Sequence, residues 1–249
     1  MSSDVFDRYG RYYDLRYRDK DYDAEAKYVA SALHAAKPDT KTLLEFGLGT
    51  GRHGQRLRAL GFDLFGIERS ESMVESARAR NLDCVQGDIQ TTKVNRLFDA
   101  VIALFHVISY QVTDHDVAAT FKNAARHLHP KGLFLFDVWH RPAVLSEKPS
   151  VRVKRAEDET VRLIRIAEPT LDLHTKTVTV RYTMLAESKI DNRLQTFEEE
   201  HRMRYFSPIE IAKFADDSGF EVERSEEFMT GRAPSENTWG VCYLLRKRG

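Results

Sequence analysis

Three glycines, Gly47, Gly49 and Gly51, stand in a segment at residues 45–51 that follows a short apolar run. Glycine has no Cβ, so its backbone can approach a ligand closely and adopt positive φ. Residues with helical spacing follow, and the N-terminus of a helix offers N–H groups to polar ligands. The segment therefore predicts a binding loop for a nucleotide-like ligand.

Two acidic residues follow the next two apolar runs. Glu68 ends the second run, where a carboxylate can accept both hydroxyl protons of a ribose. Asp88 follows the third run, where it can accept a hydrogen bond from the amino group of an adenine. With the glycines, these residues supply groups suited to an adenosyl ligand at the edge where open α/β sheets bind ligands.

The elements that must position these groups are short apolar runs alternating with amphipathic helices. Near-continuous apolar runs are typical of strands buried on both faces, as in a parallel sheet covered by helices. The alternation predicts a doubly wound α/β domain. Its first five strands are predicted at residues 42–46, 62–67, 84–86, 98–104 and 133–138, with helices near 23–36, 70–80 and 114–128.

The pattern changes after residue 140. Residues 177–183 alternate polar and apolar side chains, which is typical of an antiparallel strand with one solvated face. Helical signals return at residues 207–210, where a serine cap, a proline and a glutamate follow one another. Strands at 220–228 and 239–246 then close a seven-stranded, mostly parallel sheet. The strands of the inserted layer are predicted at 151–155, 161–167, 177–184 and 198–205.

This organisation predicts three regions. Residues 1–40 form an N-terminal helical segment, and residues 41–149 with 207–249 form the α/β domain that binds the ligand. Residues 150–206 form an inserted antiparallel β layer.

The sequence resembles the class I S-adenosylmethionine-dependent methyltransferases. The resemblance implies a Rossmann-like methyltransferase fold and S-adenosylmethionine as the cofactor. It is carried by residues 44–51, Glu68, Gly87-Asp88, residues 98–101, and residues 129–132, which are similar to the family's Pro-Gly-Gly turn. The predicted cofactor-binding residues are Tyr13, Tyr22, Gly47, Gly49, Gly51, Glu68, Arg69, Met73, Asp88, Ile89 and Leu104.

A narrower resemblance lies near the N-terminus. Tyr13-Asp14, Lys20-Asp21-Tyr22 and Glu25-Ala26 are similar to the lid of the sugar N-methyltransferases, which dimethylate amino groups on nucleotide-linked deoxysugars. Those enzymes also carry an antiparallel layer after the fifth strand. The resemblance implies that residues 1–40 form a lid whose tyrosines lie beside the methionine end of the cofactor. It leaves the acceptor open as a nitrogen or oxygen of a small molecule, with a nucleotide-linked amino sugar as the candidate.

Methyl transfer from a sulfonium requires alignment of nucleophile and methyl group and exclusion of water. A nitrogen or oxygen nucleophile must also lose a proton, so a nearby base is useful. The candidate catalytic residues are His106 and His140, at the ends of the fourth and fifth strands, and Tyr13. Tyr110 and Trp139 are candidate walls of the acceptor pocket. No cluster has metal-ligand spacing, which predicts metal-independent chemistry.

The composition excludes several kinds of binding partner. The 38 basic residues balance the 38 acidic ones, so no overall field favours nucleic acid. No apolar stretch is long enough to span a membrane, and Cys84 and Cys242 are too few and too far apart for a disulfide framework. We expect a cytoplasmic enzyme with a small-molecule acceptor. A homodimer through the inserted sheet is one assembly that this layer allows, and Arg152 with Lys154 is a candidate phosphate contact.

Two other functions fit parts of the sequence. Residues 49–54 also satisfy a dinucleotide fingerprint, so a nicotinamide-dependent oxidoreductase on the same sheet is the alternative enzyme. A methyltransferase-like subunit that binds cofactor without catalysis is the non-enzymatic alternative. The forty residues ahead of the glycines disfavour the first, and the intact glycine segment, Glu68 and Asp88 disfavour the second.

Overall fold

A computed structural model describes residue 12 and residues 14–249. Its helices, numbered along the chain, are α1 Tyr22–Ala36, α2 Arg52–Ala59, α3 Glu71–Ala79, α4 Asp114–Arg126, α5 Arg141–Glu147 and α6 Pro208–Asp217. Its strands are β1 Thr42–Phe46, β2 Asp63–Glu68, β3 Asp83–Gln86, β4 Phe98–Ala103, β5 Leu128–His140, β6 Arg152–Glu157, β7 Val161–Asp172, β8 Thr177–Ser188, β9 Leu194–Phe206, β10 Phe220–Glu227 and β11 Gly240–Lys247. A short 3₁₀ helix at Val107–Tyr110 follows β4.

Seven strands form the central sheet. The order β3-β2-β1-β4-β5 is parallel throughout. On the far side of β5, β11 pairs antiparallel with β5, and β10 pairs antiparallel with β11. This sheet, with helices on its two faces, confirms the predicted doubly wound, mostly parallel fold.

Apolar side chains on the two faces of the sheet form the core. One face buries phenylalanines of the strands against α4 and α6, and Phe121 of α4 contacts both Phe134 and Phe136. The other face packs leucines of β1 and β2 against α1 and α2, around Leu33 and Leu57. Since both faces are covered, the carboxyl edge of the sheet remains for ligands.

The inserted layer is antiparallel, as predicted, and it is attached to the end of β5. Strands β6, β7, β8 and β9 pair in sequence, and β9 joins β5 through Trp139 with Tyr205 and His140 with Phe206. The strands exceed their predicted lengths because pairing continues through polar residues. The exposed face of the layer carries cross-strand ion pairs such as Arg162 with Glu187.

The described N-terminal residues cross from the inserted layer to the α/β domain. The Tyr12 ring stacks on Phe197 of β9 with centroids 5.8 Å apart. Leu15 and Tyr17 pack against a small cluster that contains Met184 of β8. None of the helices in the described part of the chain has the length and apolarity to cross a membrane.

Candidate active site

A cavity of about 350 Å³ opens between the carboxyl edge of the parallel strands and the inserted layer. Its first half is lined by the glycine segment and by the residues that follow β2, β3 and β4. Its second half is lined by residues of β8 and β9, including Tyr182, His201 and Arg202, with Arg16 and Tyr17 of the N-terminal segment.

The glycine segment has the backbone that its composition predicts. Gly47, Gly49 and Gly51 have φ values of 68°, 59° and 82°. A Cβ on Gly47 would lie 2.6 Å from Val107, whereas a Cβ on Gly49 would meet no atom within 4 Å. Gly47 and Gly49 line the cavity, while Gly51 caps α2 behind it. The open space beside Gly49 therefore belongs to the cavity.

Glu68 ties the glycine segment to the end of β2. Its carboxylate accepts hydrogen bonds from the N–H groups of Gly49, Arg69 and Ser70 at 2.8, 2.8 and 2.9 Å. Burial raises the pKa of Glu68 above its usual value, although these three donors counteract the effect. Glu68, Arg69 and Ser70 all line the cavity. A carboxylate accepts about four hydrogen bonds, so Glu68 retains capacity for a ligand.

The wall beyond Glu68 is mostly apolar. Met73, Ile89 and Leu104, which are predicted from the sequence as cofactor-binding residues, are buried and line the cavity. Asp88 lies next to the cavity without lining it. Its carboxylate pairs with Arg69 and accepts a hydrogen bond from the Gln90 N–H at 2.8 Å.

Of the two predicted lid tyrosines, Tyr22 lies at the cavity and Tyr13 lies outside the described residues. Tyr22 is the first residue of α1. The centroid of its ring lies 4.8 Å from the centroid of the His53 ring and 4.6 Å from the guanidinium of Arg52. Burial raises the pKa of Tyr22 to about 12, so the phenol is protonated at neutral pH.

The N-terminal segment is held to the glycine loop by polar contacts that sequence reasoning missed. The Thr50 hydroxyl donates to Asp14 at 2.8 Å, and Arg80 pairs with the same carboxylate. Arg52 donates to the Tyr17 carbonyl at 3.3 Å. The only signal in the sequence was the threonine within the glycine segment, because its hydroxyl can donate a hydrogen bond to Asp14 and an alanine at that position could not.

A buried acid–base network supports the Tyr22 ring. Glu25 of α1 lies 2.7 Å from both Lys20 Nζ and His53 Nε2. Burial alone would raise the pKa of Glu25, but His53 and Lys20 hold it below its usual value. Burial lowers the pKa of His53. The network fixes α1 to the first turn of α2 at the edge of the cavity.

His106 lines the cavity just after β4 and faces a buried carboxylate. Its Nδ1 lies 2.6 Å from Asp137 Oδ2 of β5, and its backbone N–H donates to the same oxygen at 3.1 Å. Burial alone would raise the pKa of Asp137, but the contacts with His106 and the charge of Lys20 hold it below its usual range. Both Phe105 and His106 have positive φ, 65° and 63°, a conformation that costs free energy and occurs often at functional sites.

His140 does not line the cavity. It is buried and precedes α5, and burial lowers its pKa. Trp139, one residue earlier in β5, does line the cavity. Successive side chains of a strand point to opposite faces, so the position that follows Trp139 faces away.

The second half of the cavity contains a hydrogen-bonded chain that sequence reasoning did not foresee. The Tyr110 hydroxyl lies 2.9 Å from His201 Nδ1, and His201 Nε2 lies 3.2 Å from Glu199 Oε2. Tyr110 and His201 line the cavity.

Glu45 lies in the segment that contains the glycines but is not among the predicted site residues. It is fully buried in β1, and its Oε2 has no hydrogen-bond partner among the described residues. Burial and the neighbouring Glu68 raise its pKa well above the usual value. A carboxylate inside an otherwise apolar strand was the signal. Across residues 12 and 14–249, no group of three or more His, Cys, Asp or Glu side chains converges as metal ligands would.

Comparison with known proteins agrees with this arrangement. Residues 43–132 match the sequence profile of a methyltransferase domain family. The protein is an S-adenosylmethionine-dependent methyltransferase. The matched segment contains the glycine loop, Glu68 and Asp88, and the assignment disfavours both the oxidoreductase and the non-catalytic alternatives.

Two curated relatives and one solved structure resemble this methyltransferase over most of its length. A dTDP-3-amino-3,4,6-trideoxy-alpha-D-glucopyranose N,N-dimethyltransferase of Streptomyces venezuelae is 29% identical over 225 residues, covering 88% of this chain and 93% of that one. A dTDP-4-amino-2,3,4,6-tetradeoxy-D-glucose N,N-dimethyltransferase of Saccharopolyspora spinosa is 29% identical over 208 residues, covering 83% and 82%. The crystal structure of Streptomyces venezuelae DesVI superposes with a TM-score of 0.82 at 24% identity, covering 97% of this chain and 98% of that one.

The methyltransferase cavity fits the cofactor on two observations. The side of Gly49 is open, so a ligand can contact the backbone there. The Glu68 carboxylate lines the cavity beside Gly49 and has lone pairs left for hydroxyl donors of a ligand.

Proposed function

We propose that the methyltransferase transfers methyl groups to the amino nitrogen of a nucleotide-linked deoxysugar. The observation that carries this proposal is the continuity of the cavity, which runs from the glycine loop to the inserted layer. An adenosyl ligand alone would occupy only the first half of the cavity. The second half, with polar side chains from β8 and β9, has the composition expected for a polar acceptor. The two curated relatives are named as N,N-dimethyltransferases of dTDP-linked amino sugars, which supports the same acceptor class.

We propose that the cofactor lies along the first half of the cavity. Glu68 accepts the ribose hydroxyls, and Met73, Ile89 and Leu104 enclose the adenine ring. Asp88 binds the adenine amino group once its side chain turns from Arg69 toward the cavity. Gly47 and Gly49 contact the ligand through their backbone while Gly51 starts α2, and Arg69 positions Asp88. Tyr22 covers the methionine end. When bound, S-adenosylmethionine supplies a methyl group activated by its sulfonium.

We propose that His106 receives the proton that the acceptor amine loses. Its imidazole reaches the cavity while its other side faces Asp137 at 2.6 Å. A carboxylate in that position orients the ring and stabilises the imidazolium that forms. His140 is the alternative base, and its access would require movement of β5.

We propose that Arg16 and Arg202 meet the diphosphate of the acceptor. Both line the second half of the cavity, and guanidinium groups bind phosphate oxygens in pairs. They are better placed than Arg152 and Lys154, the pair suggested by the sequence. Arg152 is exposed on β6, and Lys154 donates to the Arg16 carbonyl at 2.8 Å.

The acceptor is tested with two purified sugars that differ in the position of the amine. One is the 3-amino-3,4,6-trideoxy sugar and the other is the 4-amino-2,3,4,6-tetradeoxy sugar, both linked to dTDP. Mass spectrometry should detect one or two added methyl groups on at least one sugar. Calorimetry with S-adenosylhomocysteine serves as the control for a folded site. Cofactor binding without methylation of either sugar would contradict the proposed acceptor class.

We also propose a cytoplasmic homodimer that pairs through the inserted layer. Val153 of the edge strand β6 and the neighbouring Val151 are exposed, and an unpaired strand edge can pair with another chain. Light scattering after size exclusion should give twice the monomer mass, and Val153→Lys should lower it. A monomer at micromolar concentration would contradict the assembly.

A further inference from the structure

We propose that the chain Glu199–His201–Tyr110 makes Tyr110 an obligate hydrogen-bond acceptor that orients the attacking amine. The inference rests on the proposed function and assigns the specificity of the same cavity. Tyr110 would contact the acceptor, and His201 with Glu199 would be positioning residues that act through it.

The two members from the inserted layer share one face of β9. Residues 199 and 201 are two apart in a strand, so their side chains point the same way. The Glu199 and His201 side chains are 5% and 3% exposed, and their Oε2 and Nε2 atoms are 3.2 Å apart. Two buried polar groups that lie within hydrogen-bond distance fix one another's orientation, because leaving either unpaired would cost free energy.

The chemistry of the three groups sets the direction of the chain. We take Glu199 as ionised and His201 as neutral. An ionised carboxylate only accepts hydrogen bonds, so His201 Nε2 then carries a proton toward Glu199. In a neutral imidazole the other nitrogen, Nδ1, is then an acceptor. Tyr110 lies 2.9 Å from Nδ1 and must donate its hydroxyl proton to it. The Tyr110 oxygen can therefore offer only lone pairs to other groups.

The surroundings keep the Tyr110 hydroxyl protonated. Burial raises the pKa of Tyr110 well above its usual value, and the nearby Tyr182 and Tyr17 act in the same direction, against Arg16. The Tyr182 ring meets the His201 ring edge-on, with the ring centroids 4.8 Å apart. The guanidiniums of Arg16 and Arg165 lie 4.9 and 4.8 Å from the centroid of the Tyr182 ring. Tyr110 is therefore a neutral phenol whose proton is committed to His201.

This arrangement selects the productive orientation of an amine. An N–H that donates to Tyr110 leaves the nitrogen lone pair pointing elsewhere, available to attack a methyl group. A phenol that donated its own proton would instead bind the lone pair and block the attack. A neutral amine and a singly methylated amine both retain an N–H, so the same contact can serve two successive transfers.

The test is a double-mutant cycle on the two dTDP-linked amino sugars. Tyr110→Phe should lower kcat about ten- to a hundredfold. His201→Phe should lower kcat at least as much, with an unchanged or smaller acceptor KM, because the freed Tyr110 proton now binds the lone pair. The double variant Tyr110→Phe/His201→Phe should recover kcat relative to His201→Phe alone. Additive losses, or an unchanged kcat in Tyr110→Phe, would overturn the proposal.

Two further variants separate this role from simple packing. Tyr205→Phe removes a hydroxyl from the same strand outside the cavity and should leave kcat within about twofold. Glu199→Gln keeps the shape of Glu199 but allows its amide to donate. It should therefore reproduce part of the His201→Phe defect, again relieved by Tyr110→Phe. A Glu199→Gln enzyme with full kcat would contradict the role of Glu199.

An acceptor-independent measurement keeps this test separate from the proposed function. Nitrogen-15 NMR of the S-adenosylhomocysteine complex reports which nitrogen of His201 is protonated. We expect the proton on Nε2, with a change in the Nδ1 shift in Tyr110→Phe. This result without turnover of either sugar would reject the acceptor class and support the hydrogen-bond direction. A proton on Nδ1 would overturn the orienting role whichever sugar is used.

Discussion

The N–H of Gly49 donates to Glu68 at 2.8 Å, so the glycine loop and the carboxylate after β2 form one unit. The same carboxylate binds two further N–H groups at the start of α3. A ligand that contacts Glu68 therefore meets a side chain whose position is already set. Such preorganisation reduces the entropy lost on binding.

Glu68→Ala should weaken cofactor binding by about 1.5–3 kcal/mol, the range for a hydrogen bond to a charged group. Calorimetry with S-adenosylmethionine would measure this as about a ten- to a hundredfold rise in Kd. Glu71→Ala, which removes an exposed carboxylate from the first turn of α3, is the matched control. Equal Kd values for the two variants would remove Glu68 from the binding site.

Gly49→Ala should reduce cofactor affinity more than its backbone strain alone explains. Gly49 has φ 59° and space for a Cβ, so alanine should cost about 1 kcal/mol of stability from the left-handed backbone. The Cβ would also enter the cavity at the place where the ligand is proposed to contact the backbone of Gly49. Gly219→Ala has the same strain, with φ 80° and open surroundings, far from the cavity. Similar thermal shifts but a raised Kd in Gly49→Ala alone would support the assignment, and unchanged affinity in both would refute it.

Thr50→Val should loosen the N-terminal segment. The substitution keeps the side-chain shape but removes the hydroxyl that donates to Asp14 at 2.8 Å. Hydrogen exchange at residues 14–22 should become faster, and S-adenosylhomocysteine should restore less protection than in the parent protein. Thr113→Val, which removes a helix cap far along the chain, controls for general destabilisation. Exchange at residues 14–22 that is the same with and without ligand in the parent protein would argue against a lid that orders over the cofactor.

Sequence reasoning could predict the first half of the cavity because its residues follow parallel strands. The carboxyl ends of such strands meet at one edge, so Glu68, Ile89 and Leu104 were expected near the glycine loop. The direction in which His140 faces could not be predicted in this way. The fifth strand was expected to end at residue 138, but β5 continues to residue 140 and the alternation places Trp139 on the cavity instead.

The hydrogen bonds of the second half of the cavity could not be predicted, although Tyr110 and Trp139 were expected as walls of the acceptor pocket, because these bonds depend on contacts between distant parts of the chain. Tyr110 and His201 are 91 residues apart and meet because the end of β9 pairs with the end of β5. The register and path of an antiparallel layer follow from long-range pairing, which local residue patterns do not encode. The role of Asp137 could not be predicted either, since it depends on His106, which lies just after the neighbouring strand β4.

Glu210→Gln should destabilise the junction of the inserted layer and the α/β domain at neutral pH. Burial alone would raise the pKa of Glu210, but Lys176, Ser207 and Arg204 lower it to about 2. A lowered pKa contributes stability above the unfolded value, near 4.5, and this contribution is lost as pH falls toward 2. Chemical denaturation should show a loss of about 1–3 kcal/mol at pH 7 that shrinks between pH 5 and about 2. Glu221→Gln on β10 is the exposed control, and a pH-independent difference would contradict the role of ionised Glu210.

His106→Asn should lower kcat by about ten- to a thousandfold, below or within the usual range for general base catalysis. Asparagine adopts positive φ more readily than most residues, so the φ of 63° at this position should persist and the loss should come from the imidazole. Cofactor affinity should be nearly unchanged, because the proposed role of His106 is to receive a proton from the acceptor and not to hold the adenosyl group. The measurement is kcat against pH, and the acceptor is the dTDP-amino sugar that the enzyme is found to methylate. Asp137→Asn should show a smaller loss in the same direction, since it removes the charge 2.6 Å from His106 Nδ1. If the acidic limb of the profile survives in His106→Asn but disappears in His140→Asn, the base is His140.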